Sequence, residues 1–313
     1  MQKKVFQLLV DNTSGVLSRI SGLFSRRGYN IESITAGVTA DARITRITIV
    51  ASGDAETLAQ IEKQVGKLED VRDVKELEPE IIDGLVDFLS ELKVPDDTID
   101  WNFDILPLDD MRNILNGVPR LQAPHYLVIR SEKIKNCLQN AGYIGEMAVL
   151  WLTAHGIATC WQSTLDVEPE HDFPDVLPYI TTVAFGRSTE PFRAAPSEIK
   201  KKKKLSAIAY GDMASPRKEI MELTWMAPSC MNAEPVRYLV DTHRIHIYRK
   251  NNKLLKFNQL NYYQCLDVGV AMAHLEVAAK KYGYQVIFER LSPEPDFRKE
   301  IYQASAHLVK EEG

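Results

Sequence analysis

The 313-residue chain has only four cysteines, Cys137, Cys160, Cys230 and Cys265, and no two of them stand at CxxC spacing. So few and so scattered, they exclude a disulfide framework; reduced thiols in a cytoplasmic protein are the expectation. No HExxH occurs and the seven histidines do not cluster at ligand spacing, so no metal site is expected. There is no GxSxG, and no cysteine has a histidine beside it, which leaves no nucleophile constellation. Apolar runs fall short of the ~18 residues that a spanning helix needs, and the N-terminus alternates like a strand instead of carrying a secretory core, so no membrane segment is expected. Charge of one sign is scarce too: 38 Lys+Arg stand against 43 Asp+Glu, a net charge of −5. Residues 1–79 hold 11 of each sign, and nothing suggests a nucleic-acid surface. The one basic run, Lys200 to Lys204, reads as a solvated linker, with anion capture as its alternative.

What is present begins with a regular alternation of element types. Val5 to Val10 is strand-like and is followed by the turn residues Asp11 to Ser14. Ser14 is placed to cap a helix whose apolar positions Val16, Leu17, Ile20, Leu23 and Phe24 share one face, and Gly28 is placed to end it. Two β-branched runs follow, Ile31 to Val38 and Ile44 to Val50. Asp54 then starts a second helix with Leu58, Ile61, Val65 and Leu68 on one face, and Val71 to Leu77 closes the set. The order βαββαβ predicts a ferredoxin-like antiparallel sheet with both helices on one face, as an α+β domain over residues 1–79. Such a sheet has open edges, and side-by-side pairing of two copies would cover them.

The segment DNTSGVLSRISGLFSRRGYNIESI resembles the ACT domain of the small regulatory subunit of acetolactate synthase, over residues 2–78. That resemblance implies a branched-chain amino acid cradled at a homodimer interface. Asn12, Gly15, Val16 and Leu17 would bind its charged groups through the backbone, and Asn30 of the partner copy would add a side-chain hydrogen bond. The chemistry is consistent, since N–H groups at a helix start favour a carboxylate and an Asn amide serves both ammonium and carboxylate. Glycine at position 15 allows close approach to the backbone. The alternative is that Gly15 and Asn30 serve only turns.

Residues 80–313 have another pattern. Ile81, Leu85, Phe88, Leu89 and Leu92 make a helical stripe, Tyr126 to Ile129 a strand, and Cys137 to His155 a helix apolar nearly all round, of the kind buried centrally. Gly156 ends it, ATCW is extended, and Ile180 to Phe185 is a strand. Beyond the lysines come a helix (Arg217 to Trp225), strands at Arg237 to Val240 and Ile245 to Tyr248, a long helix (Tyr263 to Tyr282) and a strand (Gln285 to Phe288). The recurrence predicts an internal duplication, with halves of about 80–199 and 205–313. His155 and His274, lone histidines in apolar helices, read as packed residues.

WMAPSCMNAEPVRYLV resembles the APSxxNxQPWRF signature of FMN-dependent nitroreductases, and NAGYIGEMAVLWLTAHGIATCWQ resembles their central helix and following strand. The combination is most similar to nitroreductases in which two half-subunits are fused into a pseudo-dimer. The resemblance implies FMN between the halves, with Pro228, Ser229 and Asn232 on the ring or ribityl chain, Trp161 and Gln162 along the flavin edge, and Arg193 toward the phosphate. Turn-forming and solvated-loop roles are the alternatives for Asn232 and Arg193. The usual N-terminal arginine segment is replaced by the first domain, so Arg187, Arg193 or the lysine run would have to serve the phosphate. The QPW of the signature is here Glu234-Pro235-Val236, and a buried Glu234 would cost several kcal/mol unless paired. Two functions follow as expectations. One is an FMN-dependent oxidoreductase drawing electrons from NAD(P)H under amino-acid control. The other is a non-catalytic amino-acid-sensing regulator with a vestigial flavin fold; beside these two stands a third possibility, a direct partner of acetolactate synthase.

Overall fold

The alternating residues Phe6, Leu8 and Val10 of β1 (Gln2–Asp11) and Ile47, Ile49 and Ala51 of β3 (Ile44–Gly53) are buried on one face of a sheet. Onto that face pack Val16, Ile20, Leu23 and Phe24 of α1 (Val16–Arg27) and Leu58, Ile61 and Val65 of α2 (Ala55–Val65), closing one core. With β2 (Asn30–Val38) and β4 (Val71–Lys75) the sheet runs β2-β3-β1-β4, every pair antiparallel. This is the expected βαββαβ arrangement, and it leaves β2 as an exposed edge strand. The computed structural model describes residues 2–38, 43–75, 79–108, 110–111, 121, 123–162, 177–188, 202–250 and 258–311.

The capping chemistry is partly as expected. Gly28 takes a left-handed conformation (φ 67°) and its N–H closes α1 on Phe24 and Ser25, while the Asp54 side chain accepts the Thr57 N–H at 2.7 Å to start α2. Ser14 does not cap α1. Gly15 does, at φ 85° and without a side-chain bond, because the chain enters the helix through a left-handed residue that a serine would adopt only under strain.

The chain divides into two compact units, Met1–Ile82 and Asp83–Gly313, and α3 (Pro79–Ser90) crosses the boundary. Among its described residues the second unit contains two sheets. One, from β5 (Trp101–Pro107), β6 (His125–Ser131), β7 (Ala158–Trp161) and β8 (Tyr179–Gly186), has the order β5-β6-β8-β7. The other, from β9 (Ala209–Gly211), β10 (Val236–Val240), β11 (Arg244–Arg249), β12 (Tyr284–Glu289) and β13 (Ile301–Lys310), has the order β12-β13-β11-β10-β9. If β5, β6, β7 and β8 are matched with β10, β11, β12 and β13, the two orders are the same and every matched pairing is antiparallel. Among the described strands only β9, parallel to β10, is extra. The internal duplication is therefore a property of the fold.

Between β6 and β7 runs α4 (Cys137–Ala154), and between β11 and β12 runs α6 (Asn258–Lys281); a short α5 (Arg217–Thr224) precedes β10. The two long helices meet without an intervening layer of side chains. A Cβ added to Gly142 would stand 2.1 Å from the Leu266 carbonyl oxygen, and one added to Gly269 would stand 1.9 Å from that of Gln139. Gly142 and Gly269 are 127 residues apart, as are Gln139 and Leu266, and as are the helix-ending Gly156 and Gly283. A single offset thus exchanges both contacts, which is the signature of a local twofold relationship between the halves. Neither of these helices, nor any other among the described residues, is long and apolar enough to cross a membrane.

Candidate functional site

In the second unit, β7 ends at Trp161, and the loop after α5 brings Pro228, Ser229, Cys230 and Met231 to the same place above α6. With Cys160, Tyr263, Leu266, Asp267 and Val270 these residues enclose a cleft of about 310 Å³. Its walls are mainly apolar and aromatic, with few polar groups, which is the usual make-up of a small-molecule site of this size. Of the residues expected from sequence, Trp161, Pro228 and Ser229 are brought together here. Gln162 is buried next to the cleft and not on its wall; its side-chain amide donates to the Trp161 carbonyl and the Cys160 sulfur. Asn232 is exposed on the loop and does not line the cleft, and Arg193 lies outside the described residues.

Trp161 is fixed from two sides. Its ring fills the space over Gly145, where a Cβ would come within 2.3 Å of it. Its indole N–H donates to Glu146 Oε2 at 3.0 Å, and Glu146 Oε1 meets His274 Nε2 at 2.8 Å. Glu146 is almost wholly buried, so this bonding is what makes its burial tolerable. His274 is a bonded partner across the two central helices and not merely a packed residue; His155 is exposed and stacks on Trp151 at 3.8 Å.

The signature loop is backbone-strained. Met231, Asn232 and Glu234 all have positive φ (52°, 56° and 45°), a cost of about 1 kcal/mol or more each for residues other than glycine. The loop is held in place by its bonds. Ser229 Oγ accepts the Glu234 N–H at 2.9 Å, and Asp267 Oδ1 accepts the Cys230 N–H at 2.8 Å. Glu234 is buried and does not line the cleft; it accepts the Lys203 N–H at 2.9 Å, which resolves the expected cost of that carboxylate.

The lysine run departs from the linker expectation in its described part. Lys202 Nζ donates to the carbonyls of Trp225 and Ala227, both at 2.6 Å, and lies 5.3 Å over the Trp225 ring. Lys203 Nζ donates to the Ala233 carbonyl at 2.7 Å. The carbonyls left over at the end of α5 and in the loop need donors, and flexible ammonium groups supply them. Burial pushes the Lys202 ammonium below its ordinary range, against the pull of Glu234.

Sequence reasoning missed Asp267, one of two carboxylates on α6 with Glu276. It lines both the cleft and a second cavity of about 30 Å³ behind it, shared with Lys202, Ser229 and Glu234. Burial pushes its carboxyl up to about 7, with the Cys230 N–H opposing and the Glu146 charge adding to the rise. Its Oδ2 is buried without a hydrogen-bond partner. Elsewhere Asp241, His246 and Ser305 are joined like a catalytic triad, at 3.1 Å and 2.7 Å from the two ring nitrogens. Ser305 is fully buried and also bonded to the Tyr302 hydroxyl, so this is a structural network. Among the described residues no three His, Cys, Asp or Glu are placed to hold a metal ion.

In the first unit the loop before α1 carries the other expected residues. Asn12 donates its N–H to the Arg43 carbonyl at 2.7 Å, and its Oδ1 accepts the Thr45 hydroxyl at 2.9 Å. Val16 is buried in the core, whereas Leu17 is 47% exposed beside it. Arg19 lies over Gly15 and is held by both oxygens of Asp70, at 2.6 and 2.8 Å. Asn30 is exposed at the start of the edge strand β2.

Comparison with known proteins places these two sites in context. Residues 60–279, more than half of the chain, match the family described as "Putative TM nitroreductase". The chain belongs to this family. Residues 6–73 match the "AHAS small subunit-like ACT domain", so the N-terminal unit is an ACT domain of that type. The acetolactate synthase small subunit of Buchnera aphidicola is 51% identical over 80 residues, covering 26% of this chain and 50% of that protein. The isozyme 3 small subunit of Escherichia coli is 52% identical over 75 residues, covering 24% and 46%. The chain thus spans about half the length of the curated relatives it matches. A solved structure from Thermotoga maritima, described as a "putative nitroreductase", is similar at 21% identity and a TM-score of 0.48, covering 76% of this chain and 88% of that one.

Proposed function

We propose that this nitroreductase-family chain is an FMN-dependent oxidoreductase that takes electrons from NAD(P)H, and that its ACT domain binds a branched-chain amino acid which regulates it. The observation that carries the reading is the cleft itself: a flat aromatic wall at Trp161, apolar walls at Leu266 and Val270, and hydrogen-bonding groups at Ser229 and Asp267. Those residues fit the ring system of a flavin. No Lys or Arg is found among the described residues that line the cleft, so the fit extends to the ring and not to the phosphate, for which Arg193 is the proposed partner. When bound, FMN would supply the hydride chemistry. The chain's part would be to seat the ring against Trp161, which Glu146 holds in one orientation, to exclude water with its apolar walls, and to present the Ser229 hydroxyl and the Asp267 carboxyl to polar ring atoms. In the ACT domain, the backbone about Gly15, with Asn12 beside it, would take the amino acid, and Asn30 from a second copy paired along β2 would complete the site. A homodimer follows from that pairing.

A second reading, a non-catalytic amino-acid sensor, is favoured by the same lack of a cation among the described lining residues. Purified full-length protein incubated with FMN and then desalted separates the two. Retained flavin absorbance that NADH or NADPH bleaches is the expected result. A colourless protein that takes up no added FMN rejects the oxidoreductase in favour of the sensor.

A further inference from the structure

The offset of 127 residues that exchanges the two glycine contacts also gives the cleft residues on α6 and β7 counterparts in the other half. On α6, Tyr263, Leu266, Asp267 and Val270 correspond to Asn136, at the start of α4, and to Gln139, Asn140 and Tyr143 on it, and Trp161 corresponds to Phe288. A perfect duplication would therefore hold two equivalent clefts. The counterpart residues are used differently. Asn140 binds the turn before β5 with both ends of its amide, its Oδ1 accepting the Asp96 N–H at 3.2 Å and its Nδ2 donating to the Asp96 carbonyl at 2.7 Å. Asn136 Nδ2 donates to the Asp96 carboxylate at 3.1 Å, and Thr98 Oγ1 donates to it at 2.6 Å. Gln139 is bonded to Gln303 at 2.6 Å. Tyr143 places a ring where Val270 leaves space, meets Phe288 edge to face at 6.3 Å, and donates its hydroxyl to Glu276 at 2.8 Å.

At the open position the equivalent loop is held by only one oxygen of Asp267, and the other is left unsatisfied in a residue that is 95% buried (5% exposed) and lines the cleft. Leaving a buried polar atom unpaired is costly, and such costs gather at functional sites. We infer that the two ancestral sites of the second unit have diverged: the half-site at Asp267 is that unit's ligand-binding cleft, and the half-site at Asn140 has become a structural clamp closed by Asp96, Tyr143 and Phe288. The inference rests on the cleft being the ligand site, as in the function proposed above.

Two reciprocal substitutions and a stoichiometry test it on the full chain. Without ligand at pH 8, Asn140→Asp sets a carboxylate against the Asp96 carbonyl and is expected to lower the melting temperature by about 5 °C or more. Asp267→Asn keeps the bond to Cys230, removes an ionisable group and is expected to leave the melting temperature unchanged or raise it. If Asn140→Asp does not fold, Asn136→Ala, which removes one bond of the clamp, is expected to lower it by a smaller amount. Wild-type protein titrated with FMN is expected to saturate at one per chain. Two FMN per chain, or Asp267→Asn as destabilising as Asn140→Asp, would overturn the inference. No FMN uptake together with the predicted stability difference would reject the flavin reading and still support the division between an open and a closed half-site.

Discussion

Gly142 on α4 and Gly269 on α6 occupy each other's role: each gives up a side chain so that the carbonyl of the opposite helix can approach where its Cβ would be. Gly142→Ala and Gly269→Ala should therefore destabilise the second unit by similar amounts, about 3 kcal/mol each, at the upper end for overpacking because the obstacle is backbone and cannot rotate aside. Because the two sites touch, the double variant should lose less than the sum. Denaturant melts of the three variants check this; a mild effect of either single substitution would mean that the helices can separate without loss.

The stability of the second unit should carry the imprint of Asp267. Its carboxyl is raised to about 7 in the folded chain, so between the ordinary carboxylate range and pH 7 the folded state keeps a proton that the unfolded state releases. The stability this proton provides is complete below about pH 4 and is lost as pH rises toward 7. The groups around it are Glu146 on α4, Cys230, Glu234 and Lys202 on the segments flanking α5, and Tyr263 on its own helix. Asp267→Asn should remove this component, so its gain over wild type should be larger at pH 8 than at pH 5. Equal gains at both values would show that the carboxyl is ionised throughout.

Lys202 should matter more than a surface lysine. Lys202→Met keeps the aliphatic stem but withdraws two short bonds to carbonyls, at a cost of about 2 kcal/mol, or a fall of roughly 5 °C in the melting temperature. Lys204→Met, at an exposed position, should stay within about 0.5 kcal/mol of wild type. Thermal melts of the pair decide it.

The ACT domain should respond to its ligand by mass action. Valine, leucine or isoleucine at a hundredfold excess over its Kd should stabilise the domain by about 2.7 kcal/mol. Asn30→Ala should lose that shift while its melt without ligand stays near wild type, since Asn30 is exposed. Gly15→Ala should lose both stability and the shift, because position 15 has φ 85°. If none of the three amino acids moves the melt, the domain has another ligand or serves only to pair copies.

Much of this was legible in the chain. Strict alternation in β1 and β3 and the 3–4 spacing of α1 and α2 specify the ACT domain, because each element buries one face only. In the second unit the two long helices announced themselves, but β13 did not. Gln303 and Ser305 break its apolar pattern, and they are buried because Gln139, Tyr302 and His246 satisfy them from elsewhere in the fold. β5 was hidden for a related reason: its residues are mostly half-buried, so no face reads as core. In the cleft, Trp161, Pro228 and Ser229 came from a motif. Asp267 did not, since its bond to Cys230 spans 37 residues of sequence and leaves no local sign. The lysine run misled because density of charge says nothing about which carbonyls lie within reach.

Joining two halves in one chain also changes what mutation can do. In an assembly of two identical subunits, every substitution in the central helix is made twice and must suit both sites. Here positions 140 and 267 are encoded separately, so one could become asparagine and settle a turn while the other remained aspartate. The glycine crossing stays matched on both sides, since either helix with a side chain there would push its partner away.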